Sequence, residues 1–448
     1  MLPTHSRFVW LVGALVVALA FVFAACDDEG DGGDDGTPGA EATALPSLTP
    51  VDPADIVSAE DVLAKDGAAT NEDEVKWGFM FELSGGILEG FGVPTSDGVK
   101  MAVQEINDAG GFQVGDTVYT INLVEKDTTS SVPVTRAVTQ ELIQDDGVNV
   151  IWGPATLGEP EATQITQPQQ VLHLCPCQQR ETTALSSIEK ARGESKWAFQ
   201  TLLPFSLLIQ QGARNFIEDW PEIKTMAMLC QDTSTGRDIC GRTREAYTAV
   251  GIEIVSEDYF PAQTTDYNAY LTKIKQNDPD YLYNYNDPPG DAAIVRQALE
   301  QGVGRLLNVN VPANLVEALV GVPLTVPVIV GAAPRQHVLP TSEAAAAYFE
   351  RYAAYKGGSL DGTPAAFVSL LTYDYVYMLV AAMQQAGTVE DTTAIADALE
   401  KVHYSGAAED NMFFNSRHFG VHGTDPCIVE QDKPITCEHS PPPPEANY

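Results

Sequence analysis

The residues with the most specific chemistry are seven cysteines: Cys26, Cys175, Cys177, Cys230, Cys240, Cys427 and Cys437. With Cys26 set aside, the other six form an even set, which in an oxidising compartment points to disulfides of open connectivity. Local pairs close the shortest loops, namely Cys230–Cys240 and Cys427–Cys437. Cys175-Pro176-Cys177 is harder to bridge, because a one-residue spacer strains a bond between its ends. The pairs lack a C-x₂-C knuckle and no histidine sits nearby at ligand spacing, so structural disulfides are favoured over zinc. His418 and His422 flank Phe419-Gly420-Val421 in an expected hairpin, without a carboxylate partner at set spacing. The Asp27–Gly36 run lacks the ligand-then-distal-Glu spacing of an EF-hand. No G-x-S-x-G elbow, P-loop or H-E-x-x-H helix occurs. These patterns point to a non-enzyme with no metal and no cofactor.

Charge and composition narrow the partners. The 448 residues carry a net charge of −37, with 44% hydrophobic and 8% aromatic residues. That is enough apolar material for a packed core. The acidity argues against nucleic acid and against a basic patch docking on an anionic membrane. Residues 27–74 hold fifteen acids and one lysine, with few large apolar side chains, and read as a solvated, disordered tether. Ahead of it, Arg7 precedes the apolar run Phe8–Ala25, which reads as an export signal (1–25) or an uncleaved anchor. Phe23-Ala24-Ala25-Cys26 resembles the lipobox of bacterial lipoproteins. That resemblance implies lipidation of Cys26 and a protein anchored to the outer face of the cytoplasmic membrane. No second run of this kind is read, so the chain is not expected to form a channel. Residues 439–448, with Pro441–Pro444, read as a stiff tail.

The elements that must position a site follow from Val75. Val75–Phe81 reads as a buried strand. Ser96 is placed as the cap of a helix whose Val99, Ala102, Val103 and Ile106 fall on one face. Strands at Val118–Glu125, Val148–Trp152 and Val171–Leu174 alternate with helices at Val134–Ile143 and Glu159–Gln169. A second series has strands at Thr225–Leu229, Glu253–Tyr259, Tyr281–Tyr285 and Leu306–Val309. Helices at Arg237–Val250, Tyr267–Gln276 and Asp291–Gln301 lie between them. Such alternation implies parallel sheets covered on both faces, in two lobes joined near Thr201–Phe205. Helices at Glu343–Lys356 and Ala365–Gln385 must pack back onto one lobe. Tyr281, Tyr283 and Tyr285 alternate and give their strand one aromatic face.

Several segments carry a family resemblance in order. They are Leu83-Ser84-Gly85, Gly98, Ile106-Asn107-Asp108-Ala109-Gly110-Gly111, Asp145-Asp146-Gly147-Val148 and Ile151-Trp152-Gly153-Pro154. Phe260-Pro261-Ala262, Thr265-Asp266-Tyr267, Asp278-Pro279-Asp280 and Tyr373-Asp374 complete the series. From about Val75 to Gly420 the chain resembles branched-chain amino-acid-binding proteins, the receptors of ABC importers. The resemblance implies the type 1 periplasmic-binding fold: an α/β protein of two lobes, each a parallel sheet flanked by helices, joined by three hinge crossovers. Lobe 1 would be 75–201 with 332–408, and lobe 2 would be 202–331 with 409–438. It further implies a monomer that works with ABC permease subunits. A ligand-sensing lipoprotein reporting to a membrane receptor, or less readily an extracellular hydrolase, are the alternatives.

The loops after the strands supply the expected ligand contacts, since ligands of open parallel sheets sit outside the strands' carboxyl ends. In lobe 1 these are Ser84 and Gly85, then Ala155, Thr156 and Leu157, then Cys177, Gln178 and Gln179. In lobe 2 they are Thr235, Asn286, Asp287 and Asn310. In the family, hydroxyl side chains on the Gly-Pro loop and after the fourth strand hold a ligand carboxylate. Here Leu157 and Gln179 align there, with Thr156 one residue away. The family's ammonium-binding acid aligns with Val311, beside Asn310, and Asp287 is the nearest substitute. An amino acid, an amide or a urea-like solute therefore all suit the expected site. Glu82, beside the first loop, reads as a solvated side chain, and Ser84 and Thr156 read equally as helix caps.

Overall fold

The structure is a computed structural model. It describes residues 51–63, 71–86, 89–155, 157–177, 196–286, 290–309, 311, 313–333, 340–360, 366–415 and 418–442. The signal segment, Cys26 and the tether up to residue 50 lie outside the described residues.

The first series contains β1 (Ile56–Ser58), α1 (Ala59–Val62), β2 (Asn71–Phe81), α2 (Glu89–Asp108), β3 (Phe112–Val114) and β4 (Thr117–Asp127). It continues through α3 (Val132–Gln144), β5 (Val150–Trp152), α4 (Glu159–Thr166), β6 (Leu172–Cys175) and β7 (Ala198–Gln200). The second begins with α5 (Phe205–Asp219), β8 (Thr225–Gln231), α6 (Ser234–Ala249), β9 (Glu253–Phe260) and α7 (Asn268–Lys275). Then come β10 (Tyr281–Tyr285), α8 (Gly290–Gln301), β11 (Leu306–Val309), α9 (Val316–Val320) and β12 (Val328–Ala333). The chain ends with α10 (Glu343–Tyr355), α11 (Ala366–Ala386), α12 (Thr392–Leu399), β13 (His403–Ser405), β14 (Phe413–Phe414), β15 (Gly420–Val421), β16 (Asp425–Val429) and β17 (Thr436–Cys437).

Two sheets result. The first has the order β3-β4-β2-β5-β6-β7 and is parallel except for β3. The second has the order β17-β16-β12-β11-β10-β8-β9 and is parallel except at β16 and β17. Residues Trp77–Phe81 of β2 are all buried, as a parallel strand covered on both faces requires. One large core joins β2, β5 and β6 to α2, α10, α11 and α12, while β8, β10, β11 and β12 share other cores with α5–α9.

Close helix contact fixes the first lobe. A Cβ at Gly98 of α2 would lie 2.1 Å from the Ser369 carbonyl oxygen of α11, so these helices meet because a side chain is missing there. The Thr372 hydroxyl donates to the Thr95 carbonyl at 2.9 Å across the same contact. By length and composition α11 would cross a bilayer, contrary to the reading of a single long apolar run. Yet 94% of its most apolar stretch is buried by protein, so it is a core helix.

The crossovers are tied by side chains read in the sequence for other reasons. The Asp374 carboxylate, inside α11, accepts from the Ala408 amide at 2.6 Å, and a Cβ at Gly406 would strike it. His422 Nε2 accepts from the Leu203 amide at 3.1 Å, joining two crossover segments. His418 stacks on Phe199, with 4.1 Å between centroids, and meets Glu400 at 2.9 Å. Among the described residues no cluster of three or more His, Cys, Asp or Glu could hold a metal.

Three expectations need correction. The tether does not run to residue 74: Ile56–Ser58 pairs in parallel with His403–Ser405, and Val62 is buried in the first core. A few apolar side chains within acidic sequence suffice once a distant strand edge is available. Ser96 is not a cap, because the helix starts at Glu89, carries Pro94 inside it, and returns the Ser96 hydroxyl to the Val93 carbonyl. The segment from His439 is not a free tail through Pro441. His439 Nδ1 meets Asp425 at 2.7 Å, and Gln211 donates to the Ser440 and Pro441 carbonyls. The six expected disulfide cysteines form the bridges Cys230–Cys240, Cys427–Cys437 and Cys175–Cys177, the last across the one-residue spacer whose pairing the sequence left open.

Candidate functional site

The candidate site of the first lobe is built from the loops after β2, β4, β5 and β6. β2 and β4 run in register, with Phe81 opposite Asp127, so both chains turn at the same level. Asp127 organises the turn. Its Oδ1 accepts from the amides of Leu83 (3.1 Å), Ser84 (3.3 Å) and Thr129 (2.8 Å), and its Oδ2 accepts from the Ser84 hydroxyl at 2.5 Å. Burial pushes the Asp127 carboxyl up, but the Ser84 hydroxyl and these amides outweigh it and hold the group below its ordinary value. The Ser130 hydroxyl closes the unit by donating to the Ser84 carbonyl at 2.9 Å. Gly85 adopts φ +97°, and a Cβ there would meet the Thr129 carbonyl oxygen at 2.2 Å, so this position accepts only glycine. Ser84 and Gly85 themselves remain exposed.

The next loop corrects the reading of Glu82. It is not solvated but fully buried, and its carboxylate accepts from the amides of Ala155 at 3.1 Å and Leu157 at 2.8 Å. Those amides belong to the loop that leads from β5 into α4. Gly153, at φ +91°, lets the loop pass over the end of β2, since a Cβ there would overlap the Met80 carbonyl. Ala155 is buried and Leu157 is half-buried, its carbonyl accepting from the Thr135 hydroxyl at 3.1 Å. Cys177 is buried in its bridge to Cys175.

In the second lobe, Thr233 caps α6 by accepting from the Gly236 amide at 3.0 Å, which places Thr235 in the helix's first turn. Asn286 follows β10, is buried, and donates to the Tyr267 hydroxyl at 2.8 Å. Tyr281 packs on Phe216 and Tyr247 in a core, so the aromatic face of β10 is at least partly packing. Thr156, Gln178, Gln179, Asp287 and Asn310 lie outside the described residues, as does the Thr235 side chain. Ser84 and Gly85 stand beside Ala155 and Leu157 through Glu82 and Asp127. Asn286 belongs to the other sheet. Sequence reasoning missed Asp127 and misread Glu82. The available signal was an acid at the end of each of two parallel apolar strands.

A polar cluster lies behind this rim. Glu159, His173, Gln200 and His418 help to line a cavity of about 10 Å³, about the size of one water. Burial pushes the Glu159 carboxyl up to about 7, against the Thr163 hydroxyl, and pushes His173 down to about 4, against the Gly153 carbonyl. The Thr163 hydroxyl bridges Glu159 (2.9 Å) and His173 Nδ1 (3.1 Å), and His173 Nε2 reaches the Gly153 carbonyl at 2.7 Å. A second cavity, about 860 Å³, is formed by Val51–Val62 with α11 and β13, away from the strands' carboxyl ends.

Two parallel sheets with facing-type loops at their strand ends, joined by repeated crossovers, define a two-lobed protein of the type 1 periplasmic-binding fold. A family model described as periplasmic binding protein matches residues 74–429. The chain belongs to that family, which includes leucine/isoleucine/valine-binding proteins. Leu/Ile/Val-binding protein homolog 8 of Brucella abortus is 23% identical over 237 residues, which are 51% of this chain and 56% of that relative. The chain thus spans less than two thirds of that relative's length. The branched-chain amino acid transporter substrate binding protein of Streptococcus pneumoniae, in complex with isoleucine, superposes with a TM-score of 0.60 at 22% identity. That match covers 82% of this chain and 99% of the other. A solute binding protein of an ABC transporter from Rhodopseudomonas palustris, in complex with 3,4-dihydroxybenzoic acid, gives 0.60 at 19%, covering 83% and 99%.

Proposed function

We propose that this protein is the extracytoplasmic, lipid-anchored receptor of an ABC importer and that it captures one small polar solute by hinge closure. The observation that carries this reading is the pair of separate parallel sheets, each ending in loops at the carboxyl ends of its strands. Such loops suit ligand binding in open α/β sheets, and closing two of them over a solute expels water and favours the closed state. The solute is an amino acid or a related amide or urea-like compound. Ser84, Gly85, Ala155, Thr156, Leu157, Cys177, Gln178 and Gln179 contact it from one lobe. Thr235, Asn286, Asp287 and Asn310 contact it from the other. Cys26 carries the lipid, the acidic segment spaces the domain from the membrane, and permease subunits read the closed state. The protein acts as a monomer and without catalysis.

A thermal-shift screen of the full chain against amino acids, amides, urea and small organic acids tests this reading. A solute at one hundred times its dissociation constant raises stability by about 2.7 kcal/mol. Stabilisation by a protein partner alone, with no response to any small solute, would refute it.

A further inference from the structure

The rim of the first lobe places two of the protein's own carboxylates where a ligand anion would be held. Resting on the receptor reading above, we propose that Glu82 makes this site select solutes that lack a carboxylate and present N–H donors, such as amides, amines and ureas. The Ala155 and Leu157 amides lie in the loop between β5 and α4, and their N–H groups converge on a single carboxylate. Glu82 supplies it, with one oxygen on each amide, from a fully buried position.

The second donor set is spent in the same way. The Ser84 hydroxyl and the amides of Leu83, Ser84 and Thr129 all point to Asp127. An incoming carboxylate would have to displace Glu82 or settle beside its charge in a poorly solvated loop, and like charges at that range repel strongly. Among the described residues, these loops still present the exposed Ser84 hydroxyl oxygen and the negative charge of the half-buried Asp127 carboxylate. A solute rich in N–H groups and free of negative charge complements that surface. The chain's net charge of −37 works in the same direction at long range.

Matched pairs provide the test: glycine, alanine, valine, leucine and glutamine against their α-amides, and acetate against acetamide. Calorimetric titration of the full chain should show at least one carboxylate-free partner bound ten times or more tighter than its acid. Glu82→Ala exposes the two amides and should reverse that preference by tenfold or more. Glu82→Gln keeps the shape while removing the charge, and should move the ratio the same way by a smaller factor. Circular dichroism melts establish that both variants are folded, and the wild-type comparison stands without either. Tighter binding of the acids by the wild type overturns the inference, as does an acid-to-amide ratio unchanged in both variants. Both outcomes leave the receptor reading intact. Absence of binding by every solute, here and in the wider screen, removes the receptor reading and this inference with it.

Discussion

Replacing Glu159 by glutamine separates a titration from a hydrogen-bond chain. The Thr163 hydroxyl donates to Glu159 at 2.9 Å and meets His173 Nδ1 at 3.1 Å, while His173 Nε2 meets the Gly153 carbonyl at 2.7 Å. A glutamine at this position keeps a carbonyl oxygen to accept from the Thr163 hydroxyl and has no titrating proton. The remaining Glu159 oxygen is buried and has no hydrogen-bond partner among the described residues, so ionising the group leaves charge away from bulk water. Burial raises the carboxyl from 4.5 to about 7. At about 1.4 kcal/mol per tenfold change, that difference is worth about 3 kcal/mol. Because the folded value is raised, this stability is complete below about pH 4.5 and is lost as the pH rises through 7. His173 works oppositely: its folded value is lowered from 6.5 to about 4, so its contribution is lost as the pH falls through 4. The two slopes oppose one another between about pH 4.5 and 6.5, where the wild type should show little net dependence from this pair. Glu159→Gln should match the wild type at pH 4.5 and exceed it by about 3 kcal/mol at pH 8. Urea denaturation of both proteins at pH 4.5, 5.5, 6.5 and 8 measures the difference. A constant difference across that range would refute the assignment of Glu159 as a buried, high-pKa acid.

Three further changes probe the frame. Gly98→Ala puts a methyl group 2.1 Å from the Ser369 carbonyl oxygen and should destabilise by about 2–3 kcal/mol in urea melts, by forcing α2 from α11. Asp374→Ala removes the carboxylate that accepts from the Ala408 amide and should cost about 2–3 kcal/mol. An unchanged denaturation midpoint would exclude this role as a crossover clamp. Replacing Cys427 and Cys437 together by alanine opens a bridge between directly paired strand residues, and should lower stability by about 2–3 kcal/mol. If the difference between this variant and the wild type vanishes when both are measured under reductant, the bond rather than the side chains is the cause.

Much of the frame was legible because burial patterns are local. Tyr281–Tyr285 and Leu306–Val309 occupy their expected residues, since short apolar runs bounded by turn residues leave little choice of register. Cys230–Cys240 and Cys427–Cys437 were legible from spacing. The misreadings share a physical cause: the deciding partner is distant in sequence. Ile56–Ser58 becomes a strand because His403–Ser405 offers an edge, and nothing in the acidic segment announces that edge. Glu82 reads as solvated until the Ala155–Leu157 loop, far along the chain, folds over it. Ser96 has the residue type of a cap, but α2 begins at Glu89 and runs through Pro94, which leaves Ser96 inside the helix. The helix Phe205–Asp219 escaped notice beside the expected lobe junction, although its apolar side serves a core.

The central claim is that two lobes close on one small solute. Small-angle X-ray scattering of the full chain, alone and with a saturating mixture of amino acids and amides, tests it most directly. The account predicts a smaller radius of gyration with solute, abolished when the active component is left out of the mixture. An unchanged scattering profile, obtained with a solute that calorimetry shows to be bound, would contradict it.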